Sequence, residues 1–176
     1  MGFKASFAVI SSPSSNVQAG VAERMHGLIP DAKLFCIPRE PGTRAYSQWK
    51  MARSLGNLPA DVTFIDAFRS NLRWMAEQGD YPARLAEFTR FYPADRVLVL
   101  FHEDLEEDPA SFLESILEWL GVSVTYDTAK LEERVAASHE PSIVPEQHRE
   151  EVIEYFADSV RRLEDLTGRD LSHWTS

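Results

Sequence analysis

Arg39 and Ser47 stand eight positions apart in residues 38–47, PREPGTRAYS, and supply a fixed cation and a hydroxyl, groups suited to holding a phosphate. Position matters as much as type. Residues 33–37 (KLFCI) form a short, mostly apolar run of strand length. Pro41 and Gly42 then break the run before a helix-period segment begins near Thr43. Arg39 is therefore expected just past a strand end. Ser47 is expected in the first turn or so of the following helix, where backbone N–H groups lack intrahelical partners and the helix dipole favours negative charge. Ligands of open α/β sheets collect at the carboxyl ends of strands. The plainer alternative pairs Arg39 with Glu40 as surface electrostatics, worth about 0–1 kcal/mol, and leaves Ser47 as a solvent-facing helix serine. Arg44, in the same stretch, is expected to brace the turn or an acidic neighbour rather than touch a ligand.

The elements that must position these residues can be read along the chain. Residues 7–10 read as a strand, 19–28 as a helix ending before Pro30, and 33–37 as the second strand. A helix over 43–55 carries Tyr46, Trp49 and Arg53 at helical spacing, with Gly56 at its C-terminal cap. Further helices are predicted over 62–77 and 82–91, ahead of an apolar strand at 96–101. Residues 109–120 form an amphipathic helix stopped by Gly121. The longest helix spans 146–166, with Val152, Phe156, Val160 and Leu163 on its buried face and Gly168 at its end. Similar strands separated by helices imply a parallel sheet with right-handed crossovers.

Composition excludes several classes. The 176 residues, 44% hydrophobic, are the size of one domain with a real core. Cys36 is the only cysteine, lies in the second predicted strand, and reads as a buried, inert thiol in a reducing compartment. No apolar run approaches the length of a membrane span, and a cytoplasmic location is expected. Net charge is −10, unevenly spread: residues 1–60 hold seven Lys and Arg against three acids, whereas the rest is strongly acidic. An acidic body argues against nucleic-acid binding, while a small anion can still be drawn to the basic end. His26, His139, His148 and His173 are scattered without metal-ligand spacing, so no metal is expected. Trp49, Trp74, Trp119 and Trp174 read as packing residues.

Arg39, Pro41, Arg44 and Ser47, in this order and spacing, resemble the 3′-phosphate-binding motif of sulfotransferases that use 3′-phosphoadenosine 5′-phosphosulfate (PAPS). The lead-in LIPDAKLF (28–35) is similar to the strand before that motif in the bacterial and heparan N-sulfotransferase-like branch. RVLVLFHEDLEEDPASFLESILEWLGV (96–122) resembles the family's strand, acidic turn and following helix, in which His102-Glu103-Asp104 caps and orients that helix. YFADSVRRLEDLTGRDLSHW (155–174) resembles its C-terminal helix and terminal aromatic. The resemblance covers about residues 11–174.

The resemblance implies an α/β fold, a parallel sheet flanked by helices in the P-loop-like sulfotransferase arrangement, as a single domain over 1–176. It implies transfer of a sulfuryl group from PAPS to a hydroxyl or amine of a small-molecule or carbohydrate acceptor, with Arg39 and Ser47 binding the donor. Departures are also plain. The family's phosphate loop, similar to PKxGTTxL, is not present, so the fold is expected to be N-terminally incomplete, with an open sheet edge as a route to homo-oligomers. Ile10 stands where relatives carry a catalytic Glu, next to Ser12-Pro13-Ser14, and the catalytic base stays unassigned. Residues 132–142, the expected clamp and lid loop, carry only Arg134 as a Lys or Arg, with His139 beside it. The alternative is a degenerate, non-catalytic relative that serves as a binding or interaction module. Arg39, Ser47 and a free helix amide would together supply about 4–6 kcal/mol, roughly millimolar binding or slightly better.

Overall fold

The structure, a computed structural model, describes residues 7–9, 20–72, 75–138 and 142–176. It divides into two compact units, one from residues 1–38 and 86–140, the other from residues 39–85 and 141–176.

The first unit holds a three-stranded parallel sheet in the order β1 (Phe7–Val9), β2 (Lys33–Cys36), β3 (Val97–Val99). Leu34 aligns with Ala8 on one side and Val97 on the other, so β2 is the central strand. Its side chains alternate: Leu34 and Cys36 are buried, Lys33 and Phe35 half-buried. α1 (Val21–Leu28) places Ala22 against Leu34, Ala32, Phe88 and Tyr92, and the Tyr92 hydroxyl donates to the Ile29 carbonyl. Burial pushes the Cys36 thiol up to about 12, the inert state expected of it. Beyond the strands, the Leu100 and His102 N–H groups donate to the Cys36 and Pro38 carbonyls, prolonging the ladder to the edge of the Arg39 segment.

α5 (His102–Glu107) and α6 (Pro109–Leu120) follow β3. Asp108 caps α6 by accepting from the Ser111 hydroxyl and N–H, which holds its carboxyl below the usual range, and Gly121 ends the helix at φ 74°. α7 (Thr128–Ser138) replaces the first part of the clamp loop expected over 132–142. Asp127 provides the start signal, its carboxylate accepting from the Lys130 N–H. His139 lies outside the described residues, as do Ile10, Ser12 to Ser14 and Trp74.

The second unit is helical. α8 (Glu146–Thr167) buries Val152, Phe156, Val160 and Leu163, the predicted face, and adds Ser159 to it. α2 (Pro41–Ser54) and α3 (Phe64–Arg69) join α8 through a chain of aromatic contacts: Tyr46 on Phe64, Phe64 on Phe68, Phe68 on Phe156. α2 ends in two bonds, Gly56 N–H to the Arg53 carbonyl and Asn57 N–H to the Ala52 carbonyl, with Gly56 at φ 66°.

The single helix predicted over 62–77 is instead short. Thr63 caps α3, and Asn71 adopts φ 47° while its side-chain oxygen accepts from the Ala76 and Glu77 N–H groups. An Asn side chain that replaces the helical acceptor ends the helix. A 3-10 turn at Glu77–Gly79 then leads into α4 (Tyr81–Thr89). No described helix is long and apolar enough to cross a membrane.

Candidate phosphate-binding site

α2 begins two residues earlier than the sequence pattern suggests. Pro41, read there as a breaker, occupies the first helical turn, where a missing N–H costs nothing and the fixed φ favours helix. The preceding Glu40 is the N-cap, and its carboxylate accepts from the Gly42 N–H at 2.7 Å and from the Thr43 N–H. Gly42 has no room for a side chain: an added Cβ would lie 2.7 Å from Val152 Cγ1. The close approach of α2 to α8 depends on this glycine.

Two expectations change with this start. Ser47 is the seventh residue of α2, so it stands nearly two turns in and contributes a side-chain hydroxyl rather than a first-turn amide. The first amides of α2 are already engaged by a built-in anion, Glu40. The alternative Arg39–Glu40 ion pair is not what forms; Glu40 turns to the helix. Seven residues rotate a helix by about 700°, roughly 20° short of two turns, so Ser47 lies on the same face of α2 as Glu40.

Arg39 itself is half-buried, as is Ser47. Neither the Arg39 guanidinium nor the Ser47 hydroxyl has a hydrogen-bond partner among the described residues. The Arg39 backbone is held firmly by a residue that the sequence did not single out. The Tyr81 hydroxyl accepts from the Arg39 N–H at 3.2 Å and donates to the Arg39 carbonyl at 2.8 Å. No local pattern marks Tyr81, because the contact spans 42 positions.

Arg44 does brace the turn. Its guanidinium donates to the Met75 carbonyl, to Gln78 and to Gln48. Burial lowers its pKa, while Tyr81 and Glu40 act in the opposite direction. Its remaining Nε donor is buried without a partner among the described residues. Three donors spent on the protein leave Arg44 a structural part of the site.

Arg39, just before α2, and Ser47, nearly two turns into it, offer a cation and a hydroxyl, the group types that bind phosphate. A second anion at the α2 amides would have to displace Glu40. Two charge-assisted hydrogen bonds to a phosphate, one from each of these side chains, would be worth about 3–6 kcal/mol. That corresponds to roughly millimolar binding.

The sulfotransferase domain family matches residues 25–162, which include all of α2, α3 and β3. Heparan sulfate glucosamine 3-O-sulfotransferase 6 of Mus musculus is 33% identical over 118 residues, 63% of this chain and 34% of that protein. Bifunctional heparan sulfate N-deacetylase/N-sulfotransferase 2 of Homo sapiens is 29% identical over 114 residues, 58% of this chain and 13% of that protein. The chain thus spans about a third or less of the length of these relatives. A sulfotransferase from Alicyclobacillus acidocaldarius superposes with a TM-score of 0.74 at 27% identity, covering 89% of this chain and 63% of that one. With the matched region running from within α1 into α8 and the parallel sheet shared with a solved member, the chain belongs to the sulfotransferase family.

Proposed function

We propose that this chain carries the donor-binding part of an enzyme that moves a sulfuryl group from PAPS to a hydroxyl or amine on a carbohydrate. Arg39 and Ser47 hold the donor's 3′-phosphate. The observation that carries this reading is the pairing of an anchored Arg39 backbone with a guanidinium that no described residue engages. A cation committed to structure, such as Arg44, would already be consumed. Sulfuryl transfer, like phosphoryl transfer, depends on positioning and on stabilising charge at the leaving oxygen. Arg39 and Ser47 supply positioning only, since they grip the end of the donor remote from the reacting sulfur. The carbohydrate acceptor is inferred from the named substrates of the relatives.

Glu40 favours a second reading, a non-catalytic relative that binds a partner through the same surface, because its carboxylate occupies amides that an anionic ligand would use. Calorimetric titration with adenosine 3′,5′-bisphosphate and with adenosine 5′-phosphate, both to several millimolar, tests the first reading. It requires at least tenfold preference for the 3′-phosphorylated nucleotide. Equal heats, or none from either, would remove the donor assignment and leave the binding module.

A further inference from the structure

We propose that Tyr81 is the positioning residue of the phosphate grip, and that residues 79–81, Gly79-Asp80-Tyr81, form a strut that transmits the packing of α8 to Arg39. The inference rests on the reading that Arg39 binds the 3′-phosphate, and adds the device that aims it.

Arg39 lies between β2 and the cap of α2, where it belongs to neither a strand ladder nor a helix. Its N–H and carbonyl still need partners on a half-buried residue. A hydroxyl offers one donor and two acceptor sites, so Tyr81 can satisfy both groups at once, and it does so at 3.2 and 2.8 Å. A single oxygen bonded on both sides of one Cα restricts rotation of that residue, and with it the direction of its side chain.

Tyr81 is held in turn. It is the first residue of α4, and Asp80 immediately before it accepts at one oxygen, Oδ1, from the Ser159 hydroxyl at 3.0 Å and from the Arg162 guanidinium at 3.2 Å. Ser159 is one of two polar residues buried in the described core. Gly79 completes the strut by close packing: a Cβ there would lie 2.5 Å from Phe156 Cε1 and 3.0 Å from Pro41 Cβ. Residue 79 packs against α8 and the start of α2, residue 80 is tied to α8 by two hydrogen bonds, and residue 81 reaches Arg39.

The test is a double-mutant cycle on the full chain, read by calorimetry with adenosine 3′,5′-bisphosphate and adenosine 5′-phosphate. Tyr81→Phe keeps the ring and removes the hydroxyl. It is expected to weaken the 3′,5′-bisphosphate about threefold to tenfold, to leave adenosine 5′-phosphate unchanged, and to have no further effect once Arg39→Ala is present. Ser159→Ala, which loosens Asp80 without touching Arg39 or Tyr81, should move the same selectivity about twofold. It serves as the second variant should Tyr81→Phe lower the folded fraction. Wild-type affinity in both variants, an equal loss on both nucleotides, or a full loss that persists in the Arg39→Ala background would overturn the role of Tyr81 while leaving the grip intact. A wild-type chain indifferent to the 3′-phosphate would overturn the grip and the strut together.

Discussion

The turn after β3 uses two of its polar side chains locally. Asp104 accepts from the Phe101 N–H at 3.3 Å, and His102 Nδ1 lies 3.2 Å from Glu106 on the next turn of α5. The turn after β2 also caps its helix with a carboxylate, though in the opposite sense: Glu40 is the N-cap and accepts from the Gly42 and Thr43 N–H groups, whereas Asp104 reaches back from inside α5. It differs in what remains: the Arg39 guanidinium and the Ser47 hydroxyl have no partner among the described residues. Two strand-to-helix turns from neighbouring parallel strands thus both cap a helix with a carboxylate, and only one leaves a cation over. A triplet of His, Glu and Asp looks more chemical than a lone Arg and Ser, yet within it Asp104 caps α5 and His102 pairs with Glu106.

The largest expected effect falls on that surplus cation. Arg39→Ala should weaken adenosine 3′,5′-bisphosphate binding about 10- to 150-fold, the worth of one charge-assisted hydrogen bond, with little change in the thermal midpoint. A midpoint drop of many degrees with unchanged affinity would make Arg39 structural and erase the contrast. Asp104→Ala should do the reverse: the lost cap costs about 1 kcal/mol, lowering Tm by about 2–4 °C, and nucleotide affinity stays put. Differential scanning calorimetry with and without ligand separates the two. Glu40→Gln sharpens the comparison from the other side, since it keeps an acceptor for α2 but removes a negative charge close to the site. Affinity should rise about twofold to fivefold; a fall would mean that the carboxylate itself orients the grip.

The smallest effect at neutral pH concerns Cys36, at the end of β2 just before the site. The unfolded thiol loses its proton near its ordinary value of 9.0, whereas the folded one keeps it to about 12. Above about pH 9 the unfolded state therefore binds fewer protons, so this group's contribution makes stability fall as pH rises through that window. Urea midpoints measured from pH 8 to 10.5 should decline less steeply in Cys36→Ala. Rapid alkylation of the folded thiol at pH 8 would contradict its burial.

Much of the fold is legible in the sequence. The face of α8, the strands at β2 and β3, and the stop signals at Gly56, Gly121 and Gly168 follow from periodicity and from glycine's tolerance of positive φ. The departures from the sequence pattern have local physical causes. Pro41 breaks the strand pattern but is favoured at the start of a helix, so Ser47 stands in the second turn rather than the first. Asn71 carried the signal that splits the predicted helix, but an apolar period hid it. Tyr81 and Asp80 carried no signal at all, because their partners Arg39 and Ser159 are 42 and 79 positions away. Candidate binding residues such as Arg39 and Ser47 are visible by type and spacing, whereas a long-range contact such as Tyr81 to the Arg39 backbone is fixed by tertiary packing.

A crystal structure of the chain with adenosine 3′,5′-bisphosphate bound tests the central claim most directly. The 3′-phosphate should sit within about 3.2 Å of both the Arg39 guanidinium and the Ser47 hydroxyl, with Tyr81 still bonded to the Arg39 backbone. A nucleotide found elsewhere, or bound here with its 3′-phosphate turned to solvent, would contradict it.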